Sequence, residues 1–286
     1  MILNWKIGDV TVKRVLELEL PVAYYEKYPF MPKARPEALR KIPWLYPNYV
    51  TPEGHLRLSI HALLLQSPGL NLIVDTCIGN DKPRKLTGNE SLHTEFLKDL
   101  VAAGGARETI DYVVCTHLHV DHVGWNTMKV GDSWKPTFPN ARYLIGREEF
   151  EYWSQSDSAD QTPVMQDSVT PVFAAGLADL VETNHQISPE ICLIPTAGHT
   201  PGHVSVMIES RGEKALITGD TIHHPCQIAH PDWSVSFDED RQAAAICRKK
   251  LLQDVADSQV LVIGTHFAAP TAGKIVSDGE SYKFVS

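Results

Sequence analysis

Thr116-His117-Leu118-His119-Val120-Asp121-His122 is the stretch that decides how this chain is read. It holds three histidines and an aspartate within six residues, directly after the apolar run Tyr112-Val113-Val114-Cys115. An apolar, β-branched run that stops at such a cluster reads as a buried strand ending in a loop. Imidazole and carboxylate are the donors that zinc and similar divalent ions take. A lone histidine is more often a capped or solvated side chain than a ligand. Four donors gathered at the mouth of one strand point to a metal.

Working outward, the same arrangement recurs. Ile191-Cys192-Leu193-Ile194 runs into Gly198-His199-Thr200-Pro201-Gly202-His203, the strand Ala215 to Thr218 ends at Gly219-Asp220, and Val260-Leu261-Val262-Ile263 ends at Gly264-Thr265-His266. Reactive groups gather where strands end and loops converge. Donors delivered at His117, His199, Asp220 and His266 therefore predict a mixed sheet architecture with helices outside. His203 is close to His199 in sequence but is expected to lie outside the ligand set.

The remaining pattern fills in around these strands. Residues 5 to 20 alternate as one or two strands joined at Gly8-Asp9, and residues 56 to 76 read as a hairpin turning at Pro68-Gly69. Helical spacing is expected over 91–103, over 147–153 and over 238–255, the last with Arg248, Lys249 and Lys250 near its end to suit the helix dipole. The polar stretch 156–170 has no clear element. Between 21 and 54, seven prolines alternate with seven aromatic residues, which excludes long helices and regular strands. That stretch is expected either to be a loop pinned onto the body by its own aromatics or to form an arm that overhangs the metal site or reaches a second subunit, the latter making a homodimer. Trp125 and Asn126 are candidate pocket walls, and Asp75 at a strand end is a candidate for orienting a ligand histidine.

Composition sets the outer bounds. The 286 residues, 43% hydrophobic, suffice for one large domain, and residues 1–286 are read as a single one carrying the 21–54 arm. A formal net charge of -9 and the lack of any basic run argue against a nucleic-acid partner. No apolar stretch nears the roughly 18 residues of a membrane helix, and Met1 to Lys6 shows no secretory pattern. Five scattered cysteines without a Cys-x-x-Cys pair suit a reducing compartment, so a cytoplasmic protein is expected.

Taken together, H-x-H-x-D-H at 117–122, the histidine of the 198–202 loop, Asp220 and His266 resemble the metallo-β-lactamase fold superfamily, over roughly residues 55 to 270. The resemblance implies an α+β fold, a four-layer αβ/βα sandwich. It implies two divalent ions, zinc first with manganese or iron as alternatives. His117, His119 and His199 would hold one ion, Asp121, His122 and His266 the other, and Asp220 would bridge them. The implied reaction is hydrolysis of a small-molecule lactone or carboxylic ester by a hydroxide shared between the ions, with Asp121 passing a proton to the leaving group. Related members offer a phosphotriesterase, a hydrolytic dehalogenase or an iron-dependent sulfur dioxygenase as alternatives. A true β-lactamase of this fold usually lacks an aspartate at position 220, and flavin-linked di-iron members usually carry a glutamate where His119 stands. Acyl-homoserine lactonases typically place a tyrosine shortly after the bridging aspartate. Here Thr221-Ile222-His223-His224 follows, so His223 or His224 is the candidate catalytic replacement.

Overall fold

The computed structural model describes residues 2–286; Met1 lies outside them. Two compact units divide the chain: the first runs from the N-terminus to Glu17 and over Ile60–His185, the second over Leu18–Ser59 and Gln186–Ser286. Each unit is built on its own sheet.

The sheet associated with the first unit orders its seven strands Asn4–Ile7, Val10–Val22, Leu56–Ser67, Leu70–Val74, Tyr112–Cys115, Arg142–Gly146 and Ala178–Val181. Its central members are parallel, with Val74 opposite Val114 and Cys115 opposite Ile145. Parallel strands are covered on both faces, and Val113, Val114, Leu72, Ile73, Tyr143 and Ile145 are all buried. That burial is why the strand before His117 reads as a continuous apolar run. The polar stretch 156–170, unassigned from sequence, coils as a helical turn Gln161–Val164, a π-helical turn Met165–Val169 and a further turn Thr170–Ala174.

The second unit's sheet runs Gln186–Ser188, Ile191–Pro195, Val204–Ser210, Glu213–Ile217, Leu261–Ile263, Ala272–Asp278 and Ser281–Val285. One pair is parallel, Ile217 lying opposite Ile263, and the rest are antiparallel. The last two strands were not expected. Glycine, serine and charged residues dilute their apolar pattern; they pair with each other, Ala272–Asp278 also pairs with Leu261–Ile263, and Ile275 and Phe284 are buried in the core. The 238–255 helix begins later than expected, at Arg241, because Asp240 caps it by accepting from the backbone N–H groups of Gln242 and Ala243. Beyond the end of the strand Val10–Val22, the 21–54 arm forms the short helical turns Pro36–Leu39 and Pro43–Leu45 and pairs Val50 with Leu56. It is more deeply packed than an overhanging flap, for Met31, Leu39, Leu45 and Tyr49 join the buried core. Among the described residues no helix is long and apolar enough to cross a membrane.

Lys82 shows how the first unit fixes the turn that follows its donor cluster. The side chain is fully buried. Its Nζ donates to the carbonyls of Gly124 (2.8 Å) and Thr127 (2.9 Å) and to Thr127 Oγ1 (3.1 Å), and lies 4.0 Å from the Trp134 ring centre. Burial pulls its pKa from 10.5 down to about 7, against the pull of Asp167. Between those two values the unfolded chain holds a proton that the folded chain has released, so the Lys82 contribution to stability rises with pH. The thermal unfolding midpoint of the wild type relative to Lys82→Met should therefore climb from about pH 7 to about pH 10. A difference that stays flat across that range contradicts it.

Candidate metal centre

In the first unit, Asp75 organises the donors. It stands where the strand Leu70–Val74 ends, with φ of 57°. Its carboxylate accepts from Thr116 N (2.8 Å) and Thr116 Oγ1 (2.8 Å), and lies 2.9 Å from His122 Nδ1. The Thr116 hydroxyl, spending its proton on Asp75, is left to accept from His117 Nδ1 at 3.1 Å. His117 and His122 thus each have Nδ1 engaged, which leaves Nε2 as the ligand-type atom. His117 Nε2 faces His119 Nδ1 at 3.1 Å, and His122 Nε2 lies 3.7 Å from Asp121 Oδ1. The peptide between the first two histidines is gripped from both sides. Leu118 N donates to the buried Glu149 (3.0 Å), and Gln161 Nε2 donates to Leu118 O (2.6 Å). Trp153, also bonded to Glu149, packs its ring 5.3 Å from His119.

The second unit repeats the device. His199 Nδ1 lies 2.8 Å from Asp238 Oδ1, and His266 Nδ1 donates to Ser59 O at 2.9 Å. Their Nε2 atoms turn to the Asp220 carboxylate, His199 at 3.3 Å from Oδ2 and His266 at 3.1 Å from Oδ1. Asp220 itself is fixed through its backbone N–H, which donates to His203 Nε2 at 2.8 Å, while His203 Nδ1 bonds the Thr196 hydroxyl. His203 thereby holds the Asp220 backbone in place. Gly219 is required beside it. Its φ is +53°, and a Cβ there would come 2.6 Å from His203 Nε2.

His223 and His224 separate clearly. His224 uses both nitrogens, one on Tyr49 O (2.8 Å) and one accepting from Cys226 N (3.1 Å), and burial pushes its pKa down to about 4. It ties the arm to the second unit's core. His223 turns Nε2 to within 3.1 Å of Asp220 Oδ2, and with His199 and Asp238 it brings ligand-type atoms within 4.8 Å of one another. Phe30 and Phe237 stand edge-on to its ring at 6.0 and 5.5 Å. Burial lowers its pKa, with Asp220 opposing.

These contacts test whether the residues suit a cation. A neutral imidazole whose Nδ1–H is already donated presents only a lone pair at Nε2. Lone pairs of His199 and His266 face carboxylate oxygens, and that of His117 faces another imidazole nitrogen. Such acceptor pairs need a proton or a cation between them. His199 behaves accordingly: burial opposes its charge, yet bonds to Asp220 and Asp238 raise its pKa to about 9. Nitrogen and carboxylate donors of this kind fit a divalent metal.

Several residues of this arrangement escaped the sequence reading. Asp238, which the sequence places at the start of a helix, supports His199. Arg248, which the sequence places as a cation near the helix end, is buried. Its signal was present, since Ala244, Arg248, Leu251, Leu252 and Val255 form one buried helical stripe. Trp125 takes the core position that its apolar ring equally allows. It is buried, stacked on Phe96 and bonded through Nε1 to Glu17, and Asn126 beside it is buried and bonded to Thr76.

Strand-end imidazoles backed by carboxylates on an α+β frame define a metal-binding protein. The chain belongs to the metallo-beta-lactamase superfamily, whose family model matches residues 56–266. Among curated proteins it is similar to an N-acyl homoserine lactonase of a Bacillus species, 24% identical over 218 residues, which is 70% of this chain and 79% of the relative. Among solved structures it is similar to AidC, described as a dizinc quorum-quenching lactonase in complex with a product. That likeness has a TM-score of 0.83 and 22% identity over 99% of this chain and 96% of that one. It is also similar to AbOPH, described as a hydrolase in the beta lactamase superfamily, with a TM-score of 0.82 and 24% identity over 99% and 96% of the two chains. The structural likenesses bear out the α+β metallo-β-lactamase fold expected from the sequence.

Asp75 gives a direct check. Asp75→Ala should weaken metal retention 10- to 100-fold and lower stability by about 1–3 kcal/mol, because buried donors of Thr116 and His122 lose their acceptor. Metal content after dialysis and thermal unfolding measure both. Unchanged metal content in a folded variant would contradict the assignment.

Proposed function

We propose that this chain is a two-metal hydrolase of lactones or carboxylic esters. The observation that carries the reading is the set of imidazoles whose Nδ1 atoms are tied to Asp238, Ser59 O, Asp75 and Thr116, leaving Nε2 to bind. The lactonase relative and the family support the hydrolase class. In this proposal His117, His119 and His199 hold one ion, Asp121, His122 and His266 hold the second, and Asp220 is shared. Zinc is the first choice on donor chemistry, with manganese and iron as alternatives. The family model runs through segments of both units, which supports reading the chain as one domain. The five unpaired cysteines support a reducing, cytoplasmic setting.

The ions, when bound, supply an activated water and a Lewis acid for the substrate carbonyl. The chain's own groups do the rest. His223, kept neutral by burial, offers an Nε2–H to the carbonyl oxygen as negative charge develops on it. Gln227 Oε1 fixes the His223 backbone N–H at 2.7 Å, so the ring is held in advance. Asp121, whose side chain is partly exposed, accepts a proton and returns it to the leaving alkoxide. Phe30 and Phe237, 5.3 Å apart, form an apolar wall against His223 for the non-reacting part of the substrate. The exposed arm residues Tyr25 and Tyr28 support a second copy as a further contact of the arm.

A hydrolysis panel tests the reading: lactones, aryl esters, thioesters and phosphotriesters, with zinc-, manganese- and iron-loaded protein. Lactone or ester turnover abolished by chelation is expected. Turnover confined to phosphotriesters, or oxygen uptake by the iron form, overturns the substrate assignment. His223→Phe should keep the metal content and lower kcat about 100-fold. Phe30→Ala should raise KM with kcat nearly constant. A His223→Phe enzyme with wild-type kcat removes His223 from the catalytic role.

A further inference from the structure

The helix Arg241–Val255 buries a stripe that apolar side chains would fill without cost, yet it places a guanidinium there with 0% exposure. Desolvating that group is tolerated only where its donors find acceptors. Arg248 Nε donates to Thr221 O at 2.7 Å, and Nη1 donates to Pro231 O at 2.8 Å and Trp233 O at 2.9 Å. Nη2 lies 3.9 Å from Asp238 Oδ2. Three of the four acceptors lead to different residues of the candidate site. Thr221 is the peptide neighbour of Asp220. Asp238 holds His199 Nδ1 at 2.8 Å through its other oxygen, and its Oδ2 also accepts from Val235 N at 3.1 Å. Trp233 O is shared with Gln227 Nε2 (2.8 Å), and Gln227 in turn holds the His223 backbone.

We infer that Arg248 and Asp238 are positioning residues: a single buried guanidinium sets the Thr221 peptide beside Asp220 and the carboxylate that aims His199, and so sets the affinity for the ion these two residues share. The inference rests on the two-ion reading above. Arginine is needed because its planar fork addresses three carbonyls and a carboxylate from fixed directions. A lysine carries the same charge but presents it at one point.

Cobalt(II) titration of the full-length chain tests this, with stepwise affinities read by competition against a chromophoric chelator and coordination read from the visible absorption bands. Asp238→Asn should weaken one of two bound ions 10- to 100-fold and change its absorption bands, leaving the other within about twofold. Arg248→Lys should weaken the same ion, and the double variant should fall short of the sum of the two single losses, since Asp238 lies on one of the routes by which Arg248 acts. Thermal unfolding of the metal-free proteins identifies folded variants. Asp238→Asn, which keeps the side-chain shape, decides the question alone if Arg248→Lys does not fold. A folded Asp238→Asn that binds both ions with wild-type affinity and spectrum overturns the inference and leaves the two-ion reading standing. Equal weakening of both ions also overturns it, by showing a general loss of structure. A wild-type chain that takes up no cobalt overturns the inference and the two-ion reading together.

Discussion

A buried imidazole nitrogen bearing a lone pair is repelled by a carboxylate oxygen or another such nitrogen unless positive charge lies between them. Everything local to the donor clusters follows from that constraint. The protein accepts it, because at four ligand-type histidines the other nitrogen is committed: His122 to Asp75, His117 to Thr116, His199 to Asp238 and His266 to Ser59 O. A histidine placed only for packing has no reason to be held in one tautomer. Four held this way place their lone pairs toward positions that favour a cation, and the His199 pKa, raised to about 9, reports the same preference for positive charge.

The backbone serves that constraint by ending strands at the donors. Tyr112–Cys115, Glu213–Ile217 and Leu261–Ile263 stop just before His117, Asp220 and His266. A strand interior would commit the local peptides to the ladder. A strand end leaves them available for the contacts seen here, such as Leu118 N on Glu149, Asp220 N on His203 and Ser59 N on His266 O. Rigid sheets thereby fix Cα positions, and the loop peptides fix orientation.

This division explains what could be read from the sequence. The donors were legible because metal ligation imposes residue types at short spacing, and the strands before them were legible because burial on both faces imposes continuous apolarity. The supporting residues were hidden. Asp238 is one of several acids between 232 and 240, and only the fold brings it to His199, 39 residues away. Glu149 and Gln161 reach Leu118 across similar gaps. Residue type does not mark them, since Asp, Glu and Gln are ordinary surface residues. Arg248 differs: its place in the stripe with Ala244, Leu251, Leu252 and Val255 contradicted a surface reading, and a periodicity count over the helix would have flagged it. The strands Ala272–Asp278 and Ser281–Val285 carried a weaker signal, because the apolar side chains they bury, Ile275 and Phe284 among them, are interspersed with glycine, serine and charged residues.

The two fully buried cations, Lys82 and Arg248, obey a common rule. Apart from the bond of Lys82 to Thr127 Oγ1, their hydrogen bonds go to backbone carbonyls, those of Gly124 and Thr127 for Lys82 and those of Thr221, Pro231 and Trp233 for Arg248. The buried carboxylates Asp75 and Asp238 take their short bonds from imidazoles and loop peptides instead. Had either carboxylate formed a close fork-to-fork pair with a guanidinium, its charge would be neutralised and its pull on the histidine proton weakened. Arg248 Nη2 stands 3.9 Å from Asp238, near enough to favour the ionised carboxylate and too far to take over its lone pairs. Interior cations therefore fasten the loops, and interior anions remain free to aim the ligands.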